Sequence, residues 1–367
     1  MNTLDTKYIY RADHVGSLLR PEKLKKARQQ FSEGNISKAA LKQVENEEIN
    51  RIIEKQKSLG LKAITDGELR RSWWHFDFLE GLDGVDGYWS GEGIAFKEKT
   101  TKSRAIKVTG KLDFTNHPML EDFKYVAEQA KNHTAKFTIP SPSMLHFRGE
   151  IDPAIYPDED VFFDDLANAY KKALNAFYDA GCRYLQLDDT SWAYLCSEEQ
   201  KTQLKNKGLD PGHLVQKYLE TLNRAVADRP SDLKITMHIC RGNFRSTWIS
   251  SGGYEPVAKE IFGKLNIDAF FLEYDSDRAG DFRPLRHVNR KDLTIVLGLI
   301  TSKHGELESK DEIRKRVEEA TQYVPLEQLA LSPQCGFAST EEGNLLSEEE
   351  QWKKLKHVVE IAQDIWS

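Results

Sequence analysis

The chain has 367 residues, of which 39% are apolar and 30% charged, and its formal net charge is -6 at neutral pH. This composition is typical of a globular protein with a sizeable core, long enough for one large domain or two ordinary ones. No basic block favours nucleic acid and no apolar stretch reaches the length of a membrane span, so we expect neither as a partner.

Four cysteines are spread over the chain: Cys182, Cys196, Cys240 and Cys335. This is too few for a disulfide scaffold in a protein of this length. The first residues also lack the apolar segment of a signal peptide. We therefore expect a cytoplasmic protein whose cysteines are reduced.

Short strand-like segments, most of them rich in β-branched, aliphatic or aromatic residues, recur along the chain. In chain order they are Tyr8–Val15, Ala63–Asp66, Lys136–Pro140, Tyr184–Asp188, Ile235–Cys240, Ala269–Tyr274, Thr294–Ile300 and Leu329–Ser332.

Amphipathic segments of helical length alternate with these strands. They are Lys38–Leu59, Asp160–Ala180, Pro211–Ala227, Tyr254–Leu265, Ser309–Gln322 and Ser347–Ile365. Eight strands alternating with helices predict an α/β protein with a (β/α)8 TIM barrel, formed as a single domain over residues 1–367. A doubly wound sheet is the rival, but no G-x-G-x-x-G follows the first strand.

One region, Arg71–Phe114, departs from this alternation. It is rich in Trp, Gly, Asp and Lys, and Lys107–Phe114 has the pattern of half a hairpin. We interpret residues 71–114 as an insertion after the second strand, long enough to form a lid or β-arm over the barrel mouth. The run Trp73-Trp74-His75 fits either the core of this insertion or a substrate surface.

Four residues with metal-binding side chains stand at the ends of three predicted strands: His238, Cys240, Glu273 and Cys335. Residues i and i+2 of a strand point to the same side, so His238 and Cys240 can face one ion. The carboxyl ends of the strands of a barrel meet at one face. Two thiolates, one imidazole and one carboxylate suit zinc.

Cysteine and acidic residues at strand ends can also have a purely structural role. A single cysteine in a barrel strand is usually a small apolar core residue, and we assign Cys182 and Cys196 to that class. Glu273 shifts the balance, because a carboxylate in an apolar strand is costly to bury unless it is paired or metal-bound. The adjacent acids Asp188 and Asp189 point to opposite faces, so one of them should face the site.

Several motifs together resemble the catalytic half of the cobalamin-independent methionine synthases. The chain is similar to that family over nearly its whole length. The motifs are His14-Val-Gly-Ser-Leu-Leu-Arg-Pro21, Thr65-Asp-Gly-Glu68, Leu185-Gln-Leu-Asp-Asp189, His238-Ile-Cys240, Glu273 and Pro333-Gln-Cys-Gly336.

The resemblance implies a zinc-dependent methyltransferase that moves a methyl group to the thiol of homocysteine, or of a related thiol. It implies that His238, Cys240, Glu273 and Cys335 are the zinc ligands. It also implies that Glu68 and Asp188 hold the substrate ammonium, and that Ser17 with nearby backbone holds the carboxylate.

The transfer also requires an acid, because the leaving nitrogen of an N-methyl amine must be protonated. The resemblance assigns His304 to this role, and Asp189 is the second candidate.

The chain departs from the family in being about half as long as its two-barrel members and in showing no clear counterpart of their folate-contacting segments. The motif also reads Asp188-Asp189-Thr190 where the family has Asp-Glu-Pro. The methyl donor therefore stays open between a 5-methyltetrahydrofolate and another methyl carrier. The alternatives are a zinc alkyltransferase or carbon–sulfur lyase acting on a different thiol, and a non-catalytic barrel with a structural zinc.

Overall fold

The computed structural model describes residues 9–91, 104–242 and 250–367. Within them, the helices are α1 (Glu22–Ser32), α2 (Lys38–Ser58), α3 (Phe76–Leu79), α4 (Met119–Ala130), α5 (Ser143–Arg148), α6 (Glu159–Asp179), α7 (Ser191–Cys196), α8 (Glu198–Asn206), α9 (Pro211–Val226), α10 (Glu255–Lys264), α11 (Lys310–Ala320) and α12 (Glu348–Trp366). The strands are β1 (Ala63–Ile64), β2 (Asp83–Trp89), β3 (Arg104–Asp113), β4 (Thr134–Pro140), β5 (Gly149–Ile151), β6 (Tyr184–Asp189), β7 (Lys234–Ile239), β8 (Ala269–Glu273), β9 (Thr294–Ile300) and β10 (Leu329–Pro333).

Seven strands form one parallel sheet in the order β1-β4-β6-β7-β8-β9-β10. Each strand lies beside the next sheet strand in the chain, as successive β–α units require. The strands are apolar on both faces because helices cover the outside and side chains fill the inside. In β9, for example, six of the seven residues are buried.

The sheet contains seven of the eight predicted strands. The predicted first strand, Tyr8–Val15, begins outside the described residues and contributes one parallel bridge between Ala12 and Leu331 of β10. The Asp13 N–H donates to the Leu331 carbonyl at 3.1 Å, and the Leu331 N–H donates to the Arg11 carbonyl at 2.8 Å. This segment therefore runs along the free edge of β10, and closure of the sheet into an eight-stranded barrel stays a prediction.

The helix ends follow from local sequence. The predicted helix start at Ser347 is a complete capping box, in which Ser347 and Glu350 each bond the other's backbone N–H. At Ser309 the hydroxyl accepts from the Glu312 N–H at 3.4 Å and so caps the first turn of α11. No described helix is long and apolar enough to span a membrane.

The segment after β1 builds a second, smaller sheet. Strands β2 and β3 pair antiparallel, and β5 adds to β3 in parallel. Residues 92–103 between β2 and β3 lie outside the described part of the chain. The predicted arm thus contains paired strands, while its role as a lid over the site stays a prediction.

A buried ion pair lies on the inner side of the main sheet. Lys136 of β4 donates to Asp13 Oδ1 at 3.2 Å and to the His14 carbonyl at 2.6 Å. Neither charged side chain is exposed. The Tyr184 hydroxyl donates to the second oxygen of Asp13, and the Lys136 ammonium lies 4.1 Å from the ring centre of Phe271. This pair ties the first segment of the chain to β4 and β6.

A neutral imidazole is buried where the small sheet meets the main one. His117 Nε2 donates to the Phe78 carbonyl at 2.9 Å, and Nδ1 accepts from the Met119 N–H at 3.2 Å. Burial lowers the pKa of His117 to about 4. Protonation of Nδ1 would also break the bond from Met119, so the folded protein favours the neutral ring.

We expect His117→Asn to reduce the loss of stability on acidification. The unfolded chain takes up a proton near pH 6.5 and the folded chain only near pH 4, so His117 stabilises the fold fully above pH 6.5. This contribution falls by about 1.4 kcal/mol per pH unit within that window. Urea unfolding of both proteins at pH 7 and pH 4.5 measures the effect, and an equal loss in the two proteins would contradict it.

Candidate metal centre and adjoining cleft

Four buried side chains converge at the carboxyl ends of β7, β8 and β10. His238 lies on β7 and Cys240 directly follows that strand, and the pairing of Ile239 with Leu272 brings Cys240 level with Glu273 of β8. Cys335 follows β10. One ligand atom from each of the four residues lies within 4.8 Å of the others, and the two sulfur atoms are 3.5 Å apart. Neither cysteine forms a disulfide bond within the described part of the chain.

The imidazole of His238 is oriented toward this cluster. Its Nδ1 lies 3.2 Å from the Phe271 carbonyl, which fixes Nδ1 as the protonated nitrogen. Its Nε2 is buried and has no hydrogen-bond partner among the described residues. A ligating histidine shows this arrangement, in which one nitrogen donates to backbone and the other faces the ion.

The donor set therefore fits a metal ion. A buried nitrogen without a partner is costly, and an ion at the centre of the cluster would satisfy it. Two sulfurs, one nitrogen and one carboxylate oxygen match the number and softness of ligands at a four-coordinate zinc site. The fold thus brings together the four residues that the sequence predicted as ligands.

A narrow cleft with a cavity volume of about 20 Å³ opens beside the cluster. It is lined by Val15, Ser17, Glu68, Trp74, Asp188, His238, Cys240, Cys335, Gly336 and Ser339. The fold therefore brings the three predicted substrate-binding residues next to three of the four predicted metal ligands. A larger hollow of about 690 Å³ at Cys196, Glu255 and Arg283 holds no member of the cluster.

Glu68 enters the cleft from a strained turn after β1. Gly67 and Glu68 both have positive φ, 63° and 57°. This conformation is unfavourable for glutamate and is typical of functional positions. Glu68 Oε1 accepts from the Thr138 hydroxyl at 2.8 Å. Glu68 Oε2 is buried and has no hydrogen-bond partner among the described residues, and burial raises the pKa of this carboxyl.

Asp188 lies at the end of β6 and is held by its neighbour Gln186. The Gln186 amide donates to Asp188 Oδ1 at 2.7 Å and to the Val15 carbonyl at 2.6 Å. Burial raises the pKa of Asp188 as well. Two buried carboxyl groups that face one cleft favour a cation between them.

Ser17 faces the turn that follows Cys335. The Phe337 N–H donates to the Ser17 carbonyl at 2.9 Å, and the Ala338 N–H donates to the Ser17 hydroxyl at 3.4 Å. A Cβ at Gly336 would lie 2.0 Å from the Ser17 oxygen, so the close approach of these two segments requires glycine there.

The two candidate acids lie outside the cleft. His304 is exposed on the loop after β9 and is not among the lining residues. Asp189 is fully buried, and its oxygens accept from the hydroxyls of Ser141, Ser143 and Ser191 and from the Trp192 N–H. Asp189 thus holds the start of α7, and Asp188 is the one of the two acids that faces the site.

One wall of the cleft comes from the run Trp73-Trp74-His75, for which the sequence left core and substrate surface open, and from Ser339, which the sequence did not indicate. Trp73 forms an antiparallel bridge with Thr340, and the Trp74 N–H donates to the Ser339 carbonyl at 3.1 Å. As a result Trp73 is core while Trp74 and Ser339 line the cleft. The adjacent tryptophans predicted either a surface or a core. No local sequence pattern indicated that they contact a loop more than 260 residues later.

The catalytic-domain family described as "Cobalamin-independent synthase, Catalytic domain" matches residues 11–364. The chain belongs to this family of cobalamin-independent methionine synthases. It is 60% identical over 357 residues to the Bacillus subtilis (strain 168) protein YxjH, described as uncharacterized, covering 97% of this chain and 95% of that protein.

Two solved members of the fold show the same architecture. A putative vitamin-B12-independent methionine synthase from Listeria monocytogenes is 53% identical, with a TM-score of 0.82 and 98% of both chains covered. A B12-independent methionine synthase from Shewanella sp. W3-18-1, solved in complex with selenomethionine, is 18% identical, with a TM-score of 0.70 and 98% of both chains covered. The second likeness concerns the fold alone.

Proposed function

We propose that this family member is a zinc-dependent methyltransferase that transfers a methyl group to the thiol of homocysteine to give methionine. The observation that carries the proposal is one cleft that joins a metal-binding cluster to two buried carboxyl groups. Family membership supports the reaction type. The selenomethionine bound to the Shewanella protein supports an acceptor that is a sulfur-containing amino acid.

In this proposal His238, Cys240, Glu273 and Cys335 hold the zinc ion. When bound there, zinc lowers the pKa of a substrate thiol so that the thiolate, which is the nucleophile, is present at neutral pH. His238 is fixed for this task by the Phe271 carbonyl, and Glu273 by the Arg241 N–H at 2.8 Å.

The other wall of the cleft recognises the amino-acid part of the substrate. Glu68 Oε2 has no hydrogen-bond partner among the described residues, so a substrate ammonium between Glu68 and Asp188 would satisfy it. The Ser17 hydroxyl and the turn at Gly336 are placed to take the carboxylate. These contacts hold the thiol next to the metal cluster, which supplies the proximity that transfer needs.

In this proposal the methyl donor approaches from the open side of the cleft, because the predicted metal ligands and the two carboxyl groups form its walls. The donor is a 5-methyltetrahydrofolate or another methyl carrier. We keep His304 as the proposed acid for a nitrogen leaving group. Since its side chain is exposed, this role requires the loop after β9 to meet the donor at the cleft opening.

We also propose that residues 1–367 form one closed (β/α)8 barrel, with the segment around Ala12 in the eighth position. The bridge to Leu331 supports one side of that position. On the other side, the Thr65 hydroxyl donates to the Gly16 carbonyl at 2.7 Å, and the Leu18 N–H donates to the Gly67 carbonyl at 2.9 Å. The arm at residues 71–114 then lies beside the mouth and supplies Trp74.

Methionine formation tests the function directly. Zinc-loaded protein is incubated with homocysteine and, in turn, with 5-methyltetrahydrofolate, its polyglutamate, and a methylated corrinoid. We expect methionine from one of these donors and no methylation of cysteine under the same conditions. Equal methylation of unrelated thiols would favour a general thiol alkyltransferase, and absence of product from every donor would contradict the proposal.

We expect Glu68→Gln to weaken homocysteine binding by about 10- to 100-fold, because a bond between charged groups becomes a neutral one. The change keeps the contact with Thr138 and removes the charge that faces the ammonium. Binding of 4-mercaptobutyrate, which lacks the ammonium, should be unaffected. Calorimetry with both thiols measures the difference, and Glu128→Gln on the exposed face of α4 is the matched control. Equal weakening of both thiols would show that Glu68 does not bind the ammonium.

A further inference from the structure

A guanidinium lies directly against the carboxylate of the metal-binding cluster. Glu273 Oε2 accepts from Arg278 Nη2 at 2.9 Å, and Glu273 Oε1 accepts from the Arg241 N–H at 2.8 Å. The side chain of Glu273 is 1% exposed and that of Arg278 is 8% exposed. The carboxylate therefore has a cationic partner in the protein that does not depend on a metal ion.

Arg278 is itself held in place by a line of alternating charges. The same Nη2 approaches Asp275 Oδ1 at 3.2 Å, and Asp275 Oδ2 accepts from the Lys303 ammonium at 2.7 Å. Two carboxylates and two cations balance in this line, and all four side chains are largely buried. Lys303 belongs to the loop that carries His304, so the line connects that loop to Glu273.

The net charge around a bound ion depends on whether Glu273 stays a ligand when the substrate thiolate binds. A divalent ion with two thiolates, one imidazole and one carboxylate has a net charge of −1, and a substrate thiolate would raise this to −2. If Glu273 leaves the ion as the thiolate arrives and keeps its bond to Arg278, the charge around the ion stays at −1. The released carboxylate is then neutralised by a cation that is already in contact with it.

We propose that Arg278 is a positioning residue that receives the Glu273 carboxylate when the substrate thiol takes its place at the cluster. The inference rests on the proposed function and adds the group that makes Glu273 the exchangeable ligand. An alternative role is purely orienting, in which Arg278 fixes Glu273 for metal binding. Loss of such an outer partner costs about 10- to 100-fold in metal affinity.

The two roles predict opposite results for Arg278→Met. We measure zinc affinity without thiol by competition with a chromogenic chelator, and homocysteine affinity of the zinc-loaded protein by calorimetry. A receiving role leaves zinc affinity unchanged or tighter and weakens homocysteine binding by about tenfold or more, the value of one bond between charged groups. Arg278→Lys should restore part of the loss. Arg283→Met removes an exposed arginine from the same stretch and is the matched control.

Unchanged homocysteine affinity in Arg278→Met, or a loss of zinc affinity with normal thiol binding at the loaded sites, would overturn the inference. Arg278→Gln has the same expected direction and replaces the methionine variant if the latter does not fold. Failure of the unsubstituted zinc-loaded protein to bind homocysteine would instead refute the proposed function, so the two failures are distinguishable.

Discussion

Cys335→Ser should abolish both metal binding and methyl transfer. Cys335 lies 3.5 Å from Cys240 within a cluster whose ligand atoms span at most 4.8 Å, so its sulfur is central to the donor set. Serine is nearly the same size but is a hard, neutral hydroxyl, which replaces a thiolate poorly at zinc. The loss of affinity should exceed the roughly 10- to 100-fold that loss of an outer partner costs.

Metal content after gel filtration, together with methionine formation, measures this effect. Cys182→Ser makes the same chemical change at a buried thiol outside the cluster and serves as the control. It should retain both zinc and activity. A Cys335→Ser protein that retains zinc and turns over normally would show that the cluster is not the metal centre.

The second large effect concerns stability. Lys136→Met should lower the free energy of unfolding by about 3–5 kcal/mol, because it leaves the fully buried Asp13 carboxylate without its cation.

The double variant Asp13→Asn with Lys136→Met should recover much of the loss, since neither buried charge then remains. Urea unfolding of the single and double variants at pH 7 measures the coupling. Equal stability of Lys136→Met and the unsubstituted protein, or additive losses in the double variant, would show that the pair contributes little. The result matters for the site because this pair anchors the segment that leads to Ser17.

The strands could be predicted because buried parallel strands are short apolar runs. The candidate metal ligands stood out because they are polar or thiol-bearing residues at the ends of these runs. The structure has β9 at the predicted bounds, Thr294–Ile300, and β7 ends at Ile239, one residue before Cys240. Convergence of His238, Cys240, Glu273 and Cys335 followed from the i, i+2 alternation and from the shared edge of parallel strands.

Other features depend on long-range contacts that leave no periodic pattern. Among the described residues, the first predicted strand contributes one bridge, between Ala12 and Leu331. Its own residues do not indicate which strands it joins. Helices α1 and α4 were not predicted; α1 has few apolar residues, and the apolar positions of α4 lie beside the region interpreted as an insertion.

The roles of Trp74 and Arg278 also needed the structure. Trp74 reaches the cleft only through pairing with the loop after Cys335, and Arg278 was one of many charged residues in a polar stretch. For His304 the sequence assigned a role that its position in the structure does not directly support. A motif assigned it to the chemistry, but the loop after β9 leaves its side chain exposed.

The most direct test of the account is zinc-edge X-ray absorption on the zinc-loaded protein, with and without saturating homocysteine. We predict one zinc ion per chain with two sulfur, one nitrogen and one oxygen ligands, and a third sulfur at about 2.3 Å when homocysteine is present. A protein that holds no zinc, or a sulfur count that homocysteine does not change, would contradict the claim that this cluster activates the substrate thiol.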